Sequence, residues 1–316
     1  MNRRLWAAVR RRCSSWLGAL VALACAGGVL LGGAAQARDD TAQALAGRLQ
    51  ALRATLLASP LGVPLVVSSV EEGDLVHGEV HALLAQPFDG LASRLNKPRE
   101  WCELVLLHLN IKGCTHEQAA GRDWLTFYGG RKVYEATADA YALRLAFTVV
   151  DAGADHLHVD LNAASGPMGT RDYRISLSAI PAAQGSFVRF SYAYRTSALS
   201  RLAARTYLAT LGRDKVGFTR VGMGSDGQPQ YVAGQRGIVE RNAVRYYLAI
   251  QARLEGPALP PEQRFEQTLQ RWFNLTERWP RQLHELDRAD YLSAKRRERA
   301  EQVKLQQTID SAGRRP

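Results

Sequence analysis

The sequence has few cysteines and none of the short motifs that mark the best-known hydrolases and nucleotide-binding enzymes. It holds only four cysteines in 316 residues, and no C-x-x-C pair of the kind that redox enzymes and zinc knuckles use. The motifs G-x-S-x-G, H-E-x-x-H and G-x-x-x-x-G-K-[ST] are absent too, so those catalytic routes have no support. The 46% hydrophobic and 22% charged residues are typical of a globular chain and exclude a wholly disordered, collagen-like or multi-span membrane protein.

Acidic residues are missing from the N-terminal stretch that precedes Asp39. Residues 16–31 form an apolar run after a basic segment, and Ala35-Gln36-Ala37 follows as an A-x-A site. This order predicts a signal peptide, residues 1–37, cleaved after Ala37, and therefore export to the periplasm; a membrane anchor in the same segment is the alternative. Its basic residues are Arg3, Arg4, Arg10, Arg11 and Arg12. Without them the formal charge falls from +11 to +6, so nucleic acid is not an expected partner.

Export determines how the cysteines are interpreted. Cys13 and Cys25 lie in the predicted leader, which leaves Cys102 and Cys114 in the mature chain. An even pair in an oxidising compartment predicts a disulfide, and two buried thiols are the alternative.

Hydrophobic periodicity predicts the first elements of the mature chain. Leucines at helical spacing predict a short helix within residues 38–60. Two strands are predicted at 64–70 and 73–84, joined by a turn, and residues 87–109 have the pattern of two short helices.

A long meander and one helix are predicted to complete this region. From residue 123 to 195 apolar and polar residues alternate between turn signals, which predicts antiparallel strands with one apolar face. Residues 197–211 predict a helix lying on that face, with Thr196 or Ser197 as its N-cap and Gly212 at its end.

This order of elements resembles the START and Bet v 1-like helix-grip superfamily, also called SRPBCC, over residues 63–213. The resemblance implies an α+β fold in which a curved antiparallel sheet wraps around a long helix, here with extra C-terminal helices. It also implies an apolar cavity, which that superfamily uses for lipids, sterols and polyketide-like molecules. The residues that carry it are Gly78-Glu79-Val80, Gln86-Pro87-Phe88-Asp89-Gly90-Leu91, Pro98-Arg99-Glu100-Trp101-Cys102, the strand run 141–194 and the helix 197–211.

Aromatic residues are the candidate cavity lining. Four tyrosines are predicted to project from the inner face of the sheet, and each hydroxyl needs a partner when buried. They either orient a ligand or belong to an ordinary core. The candidate ligand-binding residues are Trp101, Tyr141, Phe147, Tyr173, Phe190, Tyr192 and Tyr194.

Three further patterns have a structural and a functional interpretation. Residues 222–227 spell G-x-G-x-x-G but lack the strand and helix that a dinucleotide site requires, which favours a glycine-rich loop. Two polar strand faces could ligate a metal, although a solvated outer face explains them more simply. They hold His77, Glu79 and His81, and His156, His158 and Asp160. We therefore expect no metal and no cofactor.

The C-terminal hundred residues depart from the superfamily pattern. A glycine-rich loop and a helix, 216–256, are expected to pack on the domain 61–215. On that helix Arg241 and Arg245, with Arg236, either face solvent or hold an acidic lipid head group at the cavity mouth.

The last segment, 257–316, is predicted to be a helical extension with a charged, fraying tail. Its aromatic stripe either docks on the domain or lies on an anionic membrane. The stripe comprises Phe265, Leu269, Trp272 and Phe273.

Three hypotheses of function follow from these patterns. The first is an exported binding or carrier protein for a lipid or another hydrophobic small molecule. The second is a cyclase- or dehydratase-like enzyme with a titratable group in the cavity, for which His108 and Glu103 are candidates although both suit polar helix positions. The third is a cell-envelope interaction protein with a closed cavity.

Overall fold

The computed structural model describes residues 40–256 and 259–313. The unit considered below begins at Thr41. The predicted leader, residues 1–37, lies outside the described residues, so its cleavage remains a prediction.

Eight strands form one curved antiparallel sheet in the order β1-β2-β8-β7-β6-β5-β4-β3. Each strand from β3 to β7 pairs with the next one along the chain, and β2 joins β8. The strands are β1 (Leu65–Glu72), β2 (Leu75–Leu84), β3 (Ile111–Ala119), β4 (Arg122–Gly129), β5 (Tyr141–Ala152), β6 (Leu157–Ser165), β7 (Arg171–Ala182) and β8 (Gly185–Arg195). A separate hairpin contains β9 (Arg220–Met223) and β10 (Pro229–Tyr231).

The helices lie before, between and after these strands. They are α1 (Ala42–Leu57), α2 (Phe88–Leu95), α3 (Pro98–Val105), α4 (Ala198–Ala209), α5 (Gly234–Leu254), α6 (Pro261–Thr276), α7 (Pro280–Leu283) and α8 (Arg288–Ala312). In the part of the chain that the structure describes, no helix combines the length and the apolar character needed to cross a membrane.

The long helix that the sheet grips is α5. It contacts β1, β2 and β8, and most of its residues are buried. Gly78 allows the close approach, because a Cβ atom there would lie 2.9 Å from the Val239 carbonyl oxygen. The α+β helix-grip architecture expected from the sequence is therefore present.

The sequence assigned the gripping role to the wrong helix. Residues 197–211 do form a helix, α4, and Ser197 caps it as predicted, with its hydroxyl accepting from the Ser200 N–H at 3.0 Å. However, α4 buries no residue, and Leu199 and Leu202 are 58% and 61% exposed. Cap signals locate a helix but do not show what covers it, whereas α5 has apolar or aromatic residues on most of its surface.

Strand β3 was also missed, and its free edge is covered by α8. The Gln302 Oε1 accepts from the Cys114 N–H at 2.7 Å. Gln306 accepts from the His116 N–H and donates to the His116 carbonyl, both at 2.8 Å. These glutamine amides replace a neighbouring strand, which protects the edge from pairing with another chain.

The predicted fraying tail is instead an ordered helix. Lys295, Glu298 and Gln302 on α8 are buried, because their polar atoms bind the β3 region. The aromatic stripe 265–273 is buried as well, with Trp272 stacked on Tyr291 at 5.1 Å. The stripe therefore docks on its own domain and is not available to a membrane.

The outer face of the sheet is less solvated than predicted. Helix α1 covers part of it, with Leu45 in one cluster with Ile180 and Phe187. His81 is buried and stacks on Phe187 at 5.8 Å. The other predicted polar face is also largely buried: His156 pairs with Asp151, and His158 with Asp160.

Candidate functional site

A cavity of about 160 Å³ lies between the inner face of the sheet and α5. Residues of β4, β5, β7 and β8 form one wall, and residues 242 and 246 of α5 another. The lining residues are His108, Asn110, Ile111, Phe127, Gly129, Tyr141, Leu143, Pro167, Tyr173, Ile175, Tyr192, Asn242 and Tyr246. The surroundings are thus mostly apolar and aromatic, with a few polar groups, as in small-molecule sites.

Three tyrosines give the cavity its polar character: Tyr173 and Tyr246, which are buried, and Tyr192, which is partly buried. Tyr192 lies 5.8 Å from Tyr246 between ring centres, and Tyr173 stacks on Tyr194 at 5.3 Å. Burial raises the pKa of Tyr173, Tyr192 and Tyr246, so their hydroxyls stay protonated and neutral. The Tyr173 hydroxyl is paired with the Thr170 hydroxyl at 2.8 Å.

His108 contributes an imidazole to the cavity lining. It follows α3, and its Nδ1 accepts from the Asn110 N–H at 3.1 Å, which assigns the ring proton to Nε2. The ring is 2% exposed and stacks on Tyr246 at 4.5 Å. Among the described residues, Nε2 has no hydrogen-bond partner.

The surroundings of His108 keep its imidazole neutral. Burial holds its pKa well below the usual value, and the nearby positive charges of Arg245 and Lys295 lower that pKa further. The wall of the cavity therefore presents a neutral N–H donor that lacks an acceptor. A buried donor left unpaired costs about 1–3 kcal/mol, so an acceptor in the cavity would be favoured.

The structure divides the predicted lining residues into two groups. Tyr141, Tyr173 and Tyr192 line the cavity, and Tyr141 stands at its rim, 58% exposed. The other four belong to the surrounding core: Trp101, Phe147, Phe190 and Tyr194.

The core residues have partners of their own. The Trp101 indole donates to the Leu95 carbonyl at 2.8 Å, and its ring meets the Phe147 ring edge-on at 6.2 Å. Phe190 lies 5.8 Å from Tyr246. Tyr194 stands behind Tyr173, so its contribution is to hold that ring in place.

Sequence reasoning missed Asn242 and Tyr246 and undervalued His108. The two α5 residues are four apart and share one helix face, but the cavity had been assigned to another helix. His108 was assigned to a polar helix position, whereas it lies in the turn between α3 and β3. Glu103 contacts Arg299 and is not a lining residue.

Arg241 and Arg245 lie inside the protein and not at a lipid-facing mouth. Each is 1% exposed. Arg236 is elsewhere, with its Nε donating to the Ser69 hydroxyl at 3.1 Å. The three arginines therefore do not form the predicted head-group site, and the alternative of a solvated helix face is wrong too.

The two buried arginines belong to what we call the basic cluster, which is Lys132, Lys215, Arg241, Arg245 and Glu285. Glu285 Oε1 accepts from Lys132 Nζ at 2.6 Å and from Arg245 Nη2 at 2.9 Å. The Tyr207 hydroxyl also donates to Glu285, at 3.1 Å. Burial, followed by repulsion from Arg245, lowers the pKa of Lys132 to about 7.

A second polar group, which we call the lysine cluster, is Lys112, Lys295 and Glu298. Glu298 Oε1 accepts from Lys112 at 2.9 Å, and its Oε2 accepts from Lys295 at 2.7 Å. All three residues are at most 1% exposed. Burial lowers the pKa of Lys295 to about 8, although Glu298 acts in the opposite direction.

Cys102 and Cys114 lie where a disulfide can form. Their Cα atoms are 4.9 Å apart, within the range of natural disulfides, and the Sγ atoms are 1.99 Å apart. The pair ties α3 to β3, directly behind the segment that presents His108.

Other surfaces offer less chemistry. Within residues 40–256 and 259–313, no group of three or more His, Cys, Asp or Glu side chains is arranged to hold a metal. A groove of about 420 Å³ lies beside the turns 85–89 and 181–185, and Asp89 is the ionisable residue in its lining. We therefore take the smaller cavity as the site.

No family model matches this sequence, and no curated protein matches it. Norcoclaurine synthase from Thalictrum flavum, solved in complex with dopamine and hydroxybenzaldehyde, is similar in structure at 17% identity and a TM-score of 0.30; the match covers 47% of this chain and 80% of that one. A conserved protein of unknown function from Enterococcus faecalis matches at 8% identity and a TM-score of 0.34, over 71% and 95% of the two chains.

The di-domain ARO/CYC protein of the steffimycin biosynthetic pathway matches at 14% identity and a TM-score of 0.29, over 44% and 46% of the two chains. With TM-scores this low, none of these likenesses assigns a family or an activity to the chain.

Proposed function

We propose that this chain is a binding or carrier protein for a small ring-containing hydrophobic molecule, held in the cavity beneath the sheet. The observation that carries the proposal is the unpartnered Nε2–H of His108 on an apolar, aromatic wall. A ligand oxygen that accepts from this donor would remove an unpaired polar group, while its ring replaces the empty volume.

The volume of the cavity limits the size of the ligand. About 150 Å³ is enough for a benzene molecule, and sites for drug-sized ligands span about 300–1,000 Å³. At about 160 Å³, this cavity suits one aromatic ring with a short polar substituent. A sterol or a lipid chain would require the cavity to widen, so we favour the smaller class of ligand.

A pair of probes tests this binding. Para-fluoroacetophenone offers a carbonyl acceptor, and para-fluorotoluene has a similar shape without one. Titration followed by fluorine NMR should show saturable binding of both, with a preference for the ketone of about tenfold from the additional hydrogen bond. His108→Phe should abolish the preference, whereas His284→Gln, a change at a half-exposed histidine away from the cavity lining, should not. If neither probe binds, the result would contradict the proposal and favour the closed-cavity, cell-envelope protein.

Export is part of the proposal and is tested separately. The leader pattern 1–37 supports a periplasmic carrier. Intact mass of the protein from the periplasmic fraction should correspond to a chain that begins at Arg38 with one disulfide. Recovery of the full-length chain in the membrane fraction would favour the anchored alternative.

A second candidate function is acid–base catalysis in the same cavity. It is favoured by the neutral His108 imidazole beside the hydroxyl-bearing Tyr192 and Tyr246 rings. The simplest such reaction is enolisation, in which the His108 Nε2–H hydrogen-bonds to the ligand carbonyl oxygen and stabilises the enolate, while water or hydroxide from solvent takes the proton from the neighbouring carbon. Proton NMR in deuterated water should then show exchange of the acetophenone methyl protons faster than in buffer, and none above buffer with His108→Phe. Buffer-level exchange by the natural protein would leave binding as the function.

A further inference from the structure

The positive charge of the basic cluster exceeds the negative charge of the acidic side chains near it. Four basic side chains surround the single carboxylate of Glu285: Lys215, Arg241 and Arg245, and Lys132, which is partly protonated near pH 7. Glu277 is the other acidic group in range, and it already pairs with His284 at 3.0 Å. A buried excess of one sign is unfavourable unless another group balances it.

Two guanidinium groups in this cluster have donors without acceptors. Arg241 Nη1 donates to the Val216 carbonyl at 3.3 Å, and Arg245 Nη2 donates to the Leu283 carbonyl at 3.2 Å. In the described part of the chain, the Nε atoms of both arginines lack hydrogen-bond partners, although each residue is 99% buried. Buried donors are normally satisfied, so a pair of unpaired donors beside excess positive charge favours an acceptor that the described residues do not supply.

We propose that the basic cluster is a binding site for a small oxyanion, a phosphate or a carboxylate. Guanidinium groups recognise the planar or tetrahedral oxygens of such anions by charge-assisted hydrogen bonds. The Lys132 side chain is 22% exposed, so an anion can reach the cluster from solvent beside it, and its ammonium group is a further donor. Tyr207 reaches the cluster from α4, the helix that buries no residue, and its hydroxyl donates to Glu285.

The residues of this site are separate from those that line the cavity. Arg241 and Arg245 are absent from the cavity lining, which α5 reaches through Asn242 and Tyr246. An anion could still be free phosphate or the carboxylate of a cavity ligand, and the experiment separates the two sources.

Isothermal titration with inorganic phosphate is the direct test. The natural protein should bind phosphate saturably, and Lys132→Gln should weaken binding about tenfold by removing a charged donor. Glu285→Gln should tighten binding by about the same factor, because it removes the competing carboxylate and keeps an acceptor for Lys132. Arg53→Gln, the same loss of one positive charge at an exposed position of α1, should leave the affinity within twofold of the natural protein.

The Glu285→Gln variant is informative because the proposal predicts that it binds phosphate more tightly, whereas Lys132→Gln binds it more weakly. Lys132 is partly exposed, so its variant is expected to fold even if changes at Arg241 or Arg245 prevent folding. Phosphate binding that is absent, or that weakens equally in Lys132→Gln and Arg53→Gln, would overturn the proposal.

Benzoate and benzamide identify the source of the anion. Competition of benzoate with phosphate, without competition by benzamide, indicates a ligand carboxylate, and phosphate binding without benzoate competition indicates the free ion. Phosphate binding by a protein that binds neither fluorinated probe would sustain the anion site and refute the cavity proposal.

Discussion

The lysine cluster and the basic cluster both bury positive charge, but they differ in how completely acceptors compensate it. In the lysine cluster each ammonium has an acceptor for all three N–H groups: Lys112 donates to Glu298 and to two carbonyls, and so does Lys295. In the basic cluster Arg241 and Arg245 keep unpaired Nε donors among the described residues, and one carboxylate faces four cations.

The difference lies in the elements that surround each cluster. The lysine cluster is closed between β3 and α8, whose glutamines also complete the strand edge. The basic cluster lies under α4 and the segment 283–285, where Lys132 and Lys215 reach solvent in part. A buried cluster of charges whose donors are all satisfied therefore indicates a structural role. A buried cluster with unpaired donors indicates a binding site.

The largest expected effect is at Glu298. Glu298→Gln removes the carboxylate that two buried ammonium groups share and should lower the free energy of unfolding by about 3–5 kcal/mol. Urea unfolding measures it, with Glu262→Gln on the exposed face of α6 as the control. A loss below about 1 kcal/mol would show that the lysine cluster is not the closed structural unit described above.

A smaller effect is expected at Glu285, and it should respond to anions. Glu285→Gln leaves four cations without their carboxylate and should lower the free energy of unfolding by about 1–3 kcal/mol. Added phosphate should restore stability, because a ligand that binds only the folded state stabilises it. Phosphate should stabilise Glu298→Gln only as much as it stabilises the natural protein, because the basic cluster is unchanged there, and it should stabilise Glu285→Gln more, since that variant binds phosphate more tightly. Equal rescue of both variants would contradict the comparison.

The lowered lysine pKa values predict how stability depends on pH. The folded-state pKa of Lys132 is about 7 and that of Lys295 about 8, whereas both are about 10.4 in the unfolded chain. Above the folded value the unfolded state binds more protons, so stability should rise with pH, by up to about 1.4 kcal/mol per unit for each group. The rise begins near pH 7 from Lys132, and Lys295 adds to it from about pH 8.

Two measurements test this rise of the free energy of unfolding with pH. Lys295→Met should remove the part that begins near pH 8, while Lys304→Met, at an exposed position of α8, should keep it. Above about pH 10 the sign reverses, because burial raises the tyrosine pKa values and the unfolded state then loses protons first. Stability that falls steadily from pH 7 to pH 10 would contradict both lysine assignments.

Much of the fold follows from local patterns in the sequence. Period two fixes the side of a strand, and three of the four tyrosines expected on the inner face, Tyr141, Tyr173 and Tyr192, lie at the cavity, whereas Tyr194 packs against Tyr173. The identity of the gripping helix depends on long-range packing, so helix signals at 197–211 led to α4 and not α5. Strand β3 escaped detection because its edge is completed by α8 side chains from the other end of the chain, which accept from the backbone N–H groups of Cys114 and His116.

The candidate site was less predictable than the fold. His108 owes its role to a turn and to Asn110, which fixes its tautomer, and neither leaves a periodic signal. Arg241 and Arg245 occupy helix positions that local spacing assigns to solvent, and their burial depends on Glu285, some forty residues later. Spacing along a helix shows which side chains share a face, but the partner of that face comes from elsewhere in the chain.

The histidine ring signals of isotope-labelled protein test the central claim most directly. Proton–nitrogen NMR should show that His108 carries its proton on Nε2 alone and stays neutral well below pH 6.5, the usual pKa of histidine. Addition of para-fluoroacetophenone should shift the Nε2–H resonance as the carbonyl accepts its hydrogen bond, and para-fluorotoluene should not. A His108 ring that is doubly protonated at neutral pH, or an Nε2–H signal unchanged by the ketone at saturation, would contradict the account.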